Sequence, residues 1–277
     1  MDNITIKQIL DPVDPKRFWL HYWGKKHLVI RRNVFKTLFK WNDFSNVMNN
    51  YPDNLNHLQV LDYDGKGKSW CLNKIKTGKL KLPLLSKEKL FKMWTSGKTF
   101  VLPSAEYTKE KLVAICDEFE RYFGRGTVNI YCSSKKDAVG FPAHCDQTEN
   151  FLFHTEGKVK WTIYENSAPN REHGKVVDEF VLEPGDLLYI PQYRYHKAES
   201  LTPRISISIH FANKKGQTLK KFAITEKGKG MYRPRWNNWV PEDLYFNKKG
   251  HKTNDVPKRF RMGGGSWKKT YFNNLKK

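Results

Sequence analysis

The run FPAHCD at 141–146 sets a histidine and an aspartate two residues apart, His144 and Asp146. In extended chain, residues i and i+2 project to one face. The pair therefore offers an imidazole nitrogen and a carboxylate to a single point. A third ligand is expected from His196, which follows a predicted strand and a proline break in EPGDLLYIPQYRYH. Two histidines and one carboxylate on one face of an ion leave the opposite face open. Non-haem Fe(II) oxygenases use that arrangement, and its open positions take a bidentate 2-oxo acid and then O2. His154 and His210 lie nearby in sequence and are read as groups behind the ligands or in the pocket wall.

Strands must bring these three residues together. From Thr127 the chain reads TVNIYCS, GFPAHCD, NFLFHTE, KVKWTIYE, DEFVLEPGDLLYIP, YHKAES and RISISIHFA, divided by turn signals such as EGK and EPGD. Successive short strands with period-2 faces predict an antiparallel sandwich or barrel. Ahead of them, Asp14 as N-cap and Pro15 at the first helical position open a short helix reaching Trp23. A strand is expected at 27–32 and a helix around 42–50. The segments 57–63 and 69–75 alternate as a hairpin across DGKGK. Further helices are expected over 87–94, capped by Ser86, and from a Thr108 cap to Phe123, closed by Gly124, with a strand at 99–103 between them. Leu112, Ile115, Phe119 and Phe123 form one helical stripe, the pattern of core packing. The fold class is mainly β with flanking helices: helix and strand elements over 1–126, a β core over 127–213, and a basic extension over 214–277.

The segments FWLHYWGKKHLVIRR, FERYFGRGTVNIYCSS, GFPAHCDQTENFLFHTEGKVKW and EPGDLLYIPQYRYH resemble the JmjC (cupin-like) 2-oxoglutarate oxygenases, and within them the ribosomal oxygenase branch. The resemblance covers roughly residues 5–212. It implies a double-stranded β-helix of jelly-roll type, with Fe(II), 2-oxoglutarate and O2, and hydroxylation of a ribosomal protein side chain. Relatives hydroxylate RNA or demethylate lysines. It maps His144, Asp146 and His196 onto the metal triad, which is also the catalytic centre. Asn129 and Tyr131, on the strand before the triad, match positions that line the cosubstrate pocket. Larger members carry a helical dimerisation region and a winged helix after the barrel. The sixty or so residues that follow here have weak helical periodicity and predict neither.

One position departs from the pattern. The family usually places a Lys or Arg fifteen residues after the first metal histidine, to pair with the distal carboxylate of 2-oxoglutarate. Here that residue is Val159, and alternation points Lys158 and Lys160 to the other face. A carboxylate buried without a cation or donors costs several kcal/mol. Three outcomes stay open. The strand RISISIH puts Arg204, Ser206, Ser208 and His210 on one face, so Arg204 is a candidate anchor suited to bidentate contact, with Ser208 beside it. This Arg-x-Ser resembles the anchor of 2-oxoglutarate oxygenases outside the JmjC group. Alternatively, Arg204 caps the strand at the surface, or a β-bulge turns Lys160 inward. Asn150, six residues after His144, is either a contact to cosubstrate or metal-bound water, or a turn residue. If no anchor exists, the chain is a non-catalytic RNA- or ribosome-binding module.

The 277 residues carry a net charge of +22, and residues 214–277 hold 18 Lys and Arg against 4 Asp and Glu, +14 of that total. Aromatics are interleaved there, including Trp236, Trp239 and Trp267. Cations that release counterions from phosphate and rings that stack on bases predict a nucleic acid or ribonucleoprotein partner. The four cysteines, Cys71, Cys116, Cys132 and Cys145, show no CxxC spacing. With no apolar run near ~20 residues, they suit a reducing intracellular setting, cytoplasmic or nuclear.

Overall fold

Period-2 alternation is obeyed on both faces of the largest sheet, and that sheet organises the fold. In the structure, a computed structural model, residues 4–31, 34–50, 58–61, 72–77, 80–123, 126–146, 148–166 and 173–212 are described. Five helices, α1 (Ile6–Leu10), α2 (Pro15–His21), α3 (Trp41–Asn50), α4 (Lys87–Thr95) and α5 (Glu110–Phe123), flank the strands among these residues. The strands are β1 (Leu28–Ile30), β2 (Gln59–Leu61), β3 (Leu72–Thr77), β4 (Leu80–Leu85), β5 (Thr99–Pro103), β6 (Thr127–Ser133), β7 (Thr148–Glu156), β8 (Val159–Asn166), β9 (His173–Leu182), β10 (Leu187–Ile190), β11 (His196–Ser200) and β12 (Arg204–Ala212). A seven-stranded sheet has the order β1-β10-β7-β12-β6-β5-β2, and a three-stranded sheet has the order β11-β8-β9. The strand pairs in both are antiparallel.

The outer face of the large sheet carries Ile130, Phe151, Phe153, Ile205, Ile207, Ile209 and Phe211. These pack against Phe18, Trp19 and Trp23 at α2 and against Leu112, Ile115, Phe119 and Phe123 of α5. The predicted α5 stripe is therefore core, each such side chain being worth ~1.5–3 kcal/mol on burial. A second apolar cluster lies between the sheets: Leu152 from β7, Leu188 and Ile190 from β10, Val159, Trp161 and Ile163 from β8. Residues left polar on these inner faces are consequently exceptions that call for a use.

Several predicted ends hold. Asp14 accepts from the Lys16 and Arg17 amides with Pro15 in the first turn, and Ser86 accepts from the Lys89 amide. Three expectations are corrected. Thr108 does not cap α5; it ends a 3-10 turn and its hydroxyl donates to the Ala105 carbonyl. Among the described residues the expected hairpin pairing of β2 with β3 is not made, since β2 pairs with β5 and β3 pairs with β4; its turn, residues 62–71, lies outside the described residues. Both pairings satisfy the same alternation, which specifies a strand but not its neighbour. GFPAHCD is not a ladder strand either; its link to the sheets at the triad is an isolated bridge between His144 and His196.

Gly157, in the turn between β7 and β8, has φ +73°, and a Cβ there would sit 1.8 Å from the Pro203 carbonyl oxygen. That turn requires glycine, and it fixes the carbonyl used below.

Candidate metal centre

The isolated bridge is what assembles the ligands. The His144 amide donates to the His196 carbonyl at 3.0 Å and the His196 amide to the His144 carbonyl at 2.8 Å. Directly opposed residues present their side chains on one face, and the two rings lie 4.5 Å apart. Asp146 follows two residues on, held by the Tyr193 amide on its carbonyl at 2.7 Å. The three side chains offer ligand atoms that all lie within 4.8 Å of one another. His144 Nε2 is 3.8 Å and His196 Nε2 3.7 Å from the Asp146 carboxylate. Donors around one ion at ~2 Å sit ~3 Å apart, so the three need only a small inward rotation.

The histidine tautomers follow from their partners. His144 Nδ1 meets the Pro142 carbonyl and His196 Nδ1 the Arg194 carbonyl, each at 2.8 Å. A carbonyl only accepts, so each Nδ1 carries the proton and each Nε2 keeps its lone pair for a metal. Burial, then the neighbouring His144, push the His196 pKa down to about 4, which keeps that ring neutral and ligating. Asn150 Nδ2 donates to Asp146 Oδ2 at 2.6 Å, which makes Asn150 an orienting group for the carboxylate and not a turn residue; it lies within β7. The centre sits at a mouth: the His196 side chain is 5% exposed, whereas those of His144 and Asp146 are 35% and 41% exposed.

Behind the triad lies a pocket lined by Tyr131, Asn150, Arg204, Ser206 and Ser208 among others. The triad, Tyr131, Asn150, Arg204 and Ser208 are thus brought together. Asn129 pairs with Ser208 across β6 and β12, on the same inward row, but does not line the pocket. Burial pushes the Tyr131 phenol up, so it stays protonated. Trp161, not singled out in the sequence, also lines the pocket, and its buried Nε1–H has no hydrogen-bond partner among the described residues. Its place in the alternation beside Val159 was the available signal.

The geometry removes two of the three alternatives for the anchor position. Val159 is fully buried between the sheets. Lys158 pairs with Glu183 at 2.6 Å and Lys160 with Glu179 at 2.9 Å on the outside. The register through Lys160 is regular, the β8 irregularities falling at 163–166, so no bulge turns Lys160 inward. Arg204 is not a surface cap: it is 4% exposed, and its Nε and Nη1 donate to Ser200 and Ser206, each at 2.9 Å. No carboxylate pairs with it among the described residues. Burial lowers its pKa to about 10, so it remains a guanidinium at neutral pH.

Comparison with known proteins agrees with the fold. The JmjC domain family model matches residues 102–219. Ribosomal oxygenase 2 of Rattus norvegicus is 28% identical over 223 residues, covering 74% of this chain and 45% of the rat protein. The bifunctional lysine-specific demethylase and histidyl-hydroxylase NO66 of Dictyostelium discoideum is 23% identical over 243 residues, 77% of this chain and 44% of that protein. The chain thus spans under half the length of these relatives. Among solved structures, the Escherichia coli ribosomal oxygenase YcfD, in complex with cobalt and 2-oxoglutarate, superposes with a TM-score of 0.53 at 16% identity, over 95% of this chain and 66% of that one.

Proposed function

We propose that this chain, which carries a JmjC domain of the ribosomal-oxygenase type, is an Fe(II)- and 2-oxoglutarate-dependent dioxygenase that hydroxylates a ribosomal protein side chain or RNA. The observation that carries the reading is the triad of His144, Asp146 and His196, with both Nε2 lone pairs turned toward one carboxylate. Two nitrogens and one oxygen suit Fe(II). Bound there, iron would couple oxidative decarboxylation of 2-oxoglutarate to hydroxylation: one oxygen atom of O2 enters succinate as CO2 leaves, and the other enters a substrate C–H bond. The chain's own residues hold and orient. Asn150 fixes the Asp146 carboxylate. Arg204 would receive the distal carboxylate of 2-oxoglutarate, with Tyr131 and Ser208 in the same pocket and Asn129 beside Ser208.

The names of the relatives favour a ribosomal protein as substrate. The demethylase half of the NO66 name favours lysine demethylation as a second reading. A non-catalytic module is less well supported, because the buried Arg204 supplies the cation that Val159 does not. The basic extension from 214 lies outside the described residues and would contact RNA or the ribosome. Among the described residues, no helix is long and apolar enough to cross a membrane, and an intracellular setting belongs to this proposal.

The test is incubation of the protein with Fe(II), 2-oxoglutarate, O2 and ribosomal fractions, following succinate and the gain of one oxygen atom by mass spectrometry. His144→Ala should abolish both signals; undiminished turnover in that variant would refute the assignment.

A further inference from the structure

Arg204 does not reach the pocket unaided. It begins β12, and the residue that receives its Nη1, Ser206, lies at the one irregularity in the β12–β7 pairing, where the register shifts between Ile205 and Ser206. Ile205 faces Glu156 and Ser206 faces His154, so Thr155 is the extra residue. Bulges of this kind re-aim a neighbouring side chain. Here the neighbour is His154, which lies buried on the inner face with Nδ1 2.9 Å from Ser206 Oγ and Nε2 2.8 Å from the Gly157 carbonyl.

For the neutral ring that burial favours, these contacts have only one consistent set of proton positions. The Gly157 carbonyl accepts, so His154 Nε2 carries the proton and Nδ1 is an acceptor. Ser206 must then point its hydroxyl proton at His154, which leaves its oxygen lone pairs for the Arg204 guanidinium. Ser200 receives Nε on the other side. A flexible guanidinium is thereby held in one orientation, with its remaining N–H donors left for an anion. Ser200 is also the cross-strand partner of Val159. The cation therefore arrives alongside position 159, the place at which the sequence lacks one.

We infer that His154, through Ser206, is a positioning residue for Arg204, so that the distal carboxylate of the 2-oxo acid is received from β12 instead of β8. The inference rests on the function proposed above. The Gly157 turn, the bulge at Thr155 and the His154 ring form one device whose product is the direction of the Arg204 fork.

The experiment uses the full chain loaded anaerobically with Fe(II) and titrated with 2-oxoglutarate, read by the charge-transfer absorption of the complex. A parallel titration uses 2-oxopentanoate, which has the same chain length without the distal carboxylate. His154→Leu and Ser206→Ala should each raise the dissociation constant for 2-oxoglutarate by roughly tenfold or more, the loss expected when a charge-assisted contact is misdirected. Binding of 2-oxopentanoate and of Fe(II) should stay within about twofold, since neither uses the anchor; a merely structural defect would weaken all three. His154→Gln, which can accept from Ser206 and donate to the Gly157 carbonyl, should recover most of the affinity. Ser206→Ala is the small truncation that keeps the test decisive if His154→Leu folds poorly. Unchanged 2-oxoglutarate affinity in Ser206→Ala and His154→Leu, or equal losses for the two oxo acids, would overturn the inference while leaving the proposed function standing. A wild-type chain that holds iron but gives no 2-oxoglutarate signal would overturn both.

Discussion

Arg204→Met is the most informative single change, because the buried guanidinium should matter little to stability and much to binding. Burial takes its pKa from 12.5 to about 10, which at ~1.4 kcal/mol per tenfold amounts to a cost on the order of 3 kcal/mol to the folded state. Two hydrogen bonds to serines offset that cost, each worth about 1–2 kcal/mol. Methionine keeps much of the aliphatic stem and removes both terms. The net change without cosubstrate is therefore close to zero, and the unfolding midpoint should move by no more than about 4 °C either way. The metal-loaded wild type should behave differently when 2-oxoglutarate is added. At ~100 times its dissociation constant, the ligand adds about 2.7 kcal/mol, a rise of about 5–10 °C for a domain of this size. In Arg204→Met that rise should vanish. Scanning calorimetry of both proteins, with metal and with or without 2-oxoglutarate, reads both quantities. A variant that unfolds more than about 10 °C early without cosubstrate would make Arg204 a structural strut. A variant that keeps the full ligand-induced rise would place the carboxylate elsewhere.

Val159→Lys on its own should weaken the fold, since it sets a second cation in the closed space beside Ser200 and Arg204; combined with Arg204→Met it should restore part of the ligand-induced rise, measured in the same calorimeter. Asn150→Leu removes the 2.6 Å bond to Asp146 and should lower metal affinity by about 10–100-fold in a competition titration with a chelating dye. Burial holds His154 near pH 4 against an ordinary 6.5, so as pH falls the unfolded chain takes up its proton first, and stability should be lost between about pH 6.5 and 4. In urea titrations of the metal-free protein across that window, His154→Gln should flatten the slope by about 1.4 kcal/mol per pH unit; an unchanged slope would contradict the buried neutral ring.

The triad and the barrel were legible because they rest on short-range rules. Alternation located β6, β7, β8 and β12 closely, and the proline break before His196 marked the strand that carries it. The triad was found by a route that was only partly right. The residues 140–146 are not a ladder strand, yet a single bridge to His196 leaves His144 and Asp146 on the same side as a strand would. Pairing was less visible. The segments 57–63 and 69–75 alternate well enough to be strands, but their partners, β5 and β4, depend on which elements are adjacent in space. His154 was legible as a pocket-wall histidine and no more. Its tie to Arg204 depends on a register shift at Thr155 and on the Gly157 carbonyl, and neither leaves a mark in the local pattern.

If Arg204 receives the distal carboxylate as proposed, Val159 misleads when read by position. A carboxylate in a closed pocket needs positive donors at a point in space, and an offset of fifteen residues is only one way of reaching that point. β8 and β11 are neighbours, so a side chain entering over Ser200 arrives beside Val159. Arg204 enters there from the start of β12, and Val159 packs with Leu152 and Leu188 in the volume left over. A lysine at 159 would put two cations in that space with one carboxylate to share. A small apolar residue at 159 is thus the complement of a buried arginine at 204. A chain that had simply lost its anchor would have no reason to keep a buried guanidinium braced by two serines and, among the described residues, without a carboxylate partner.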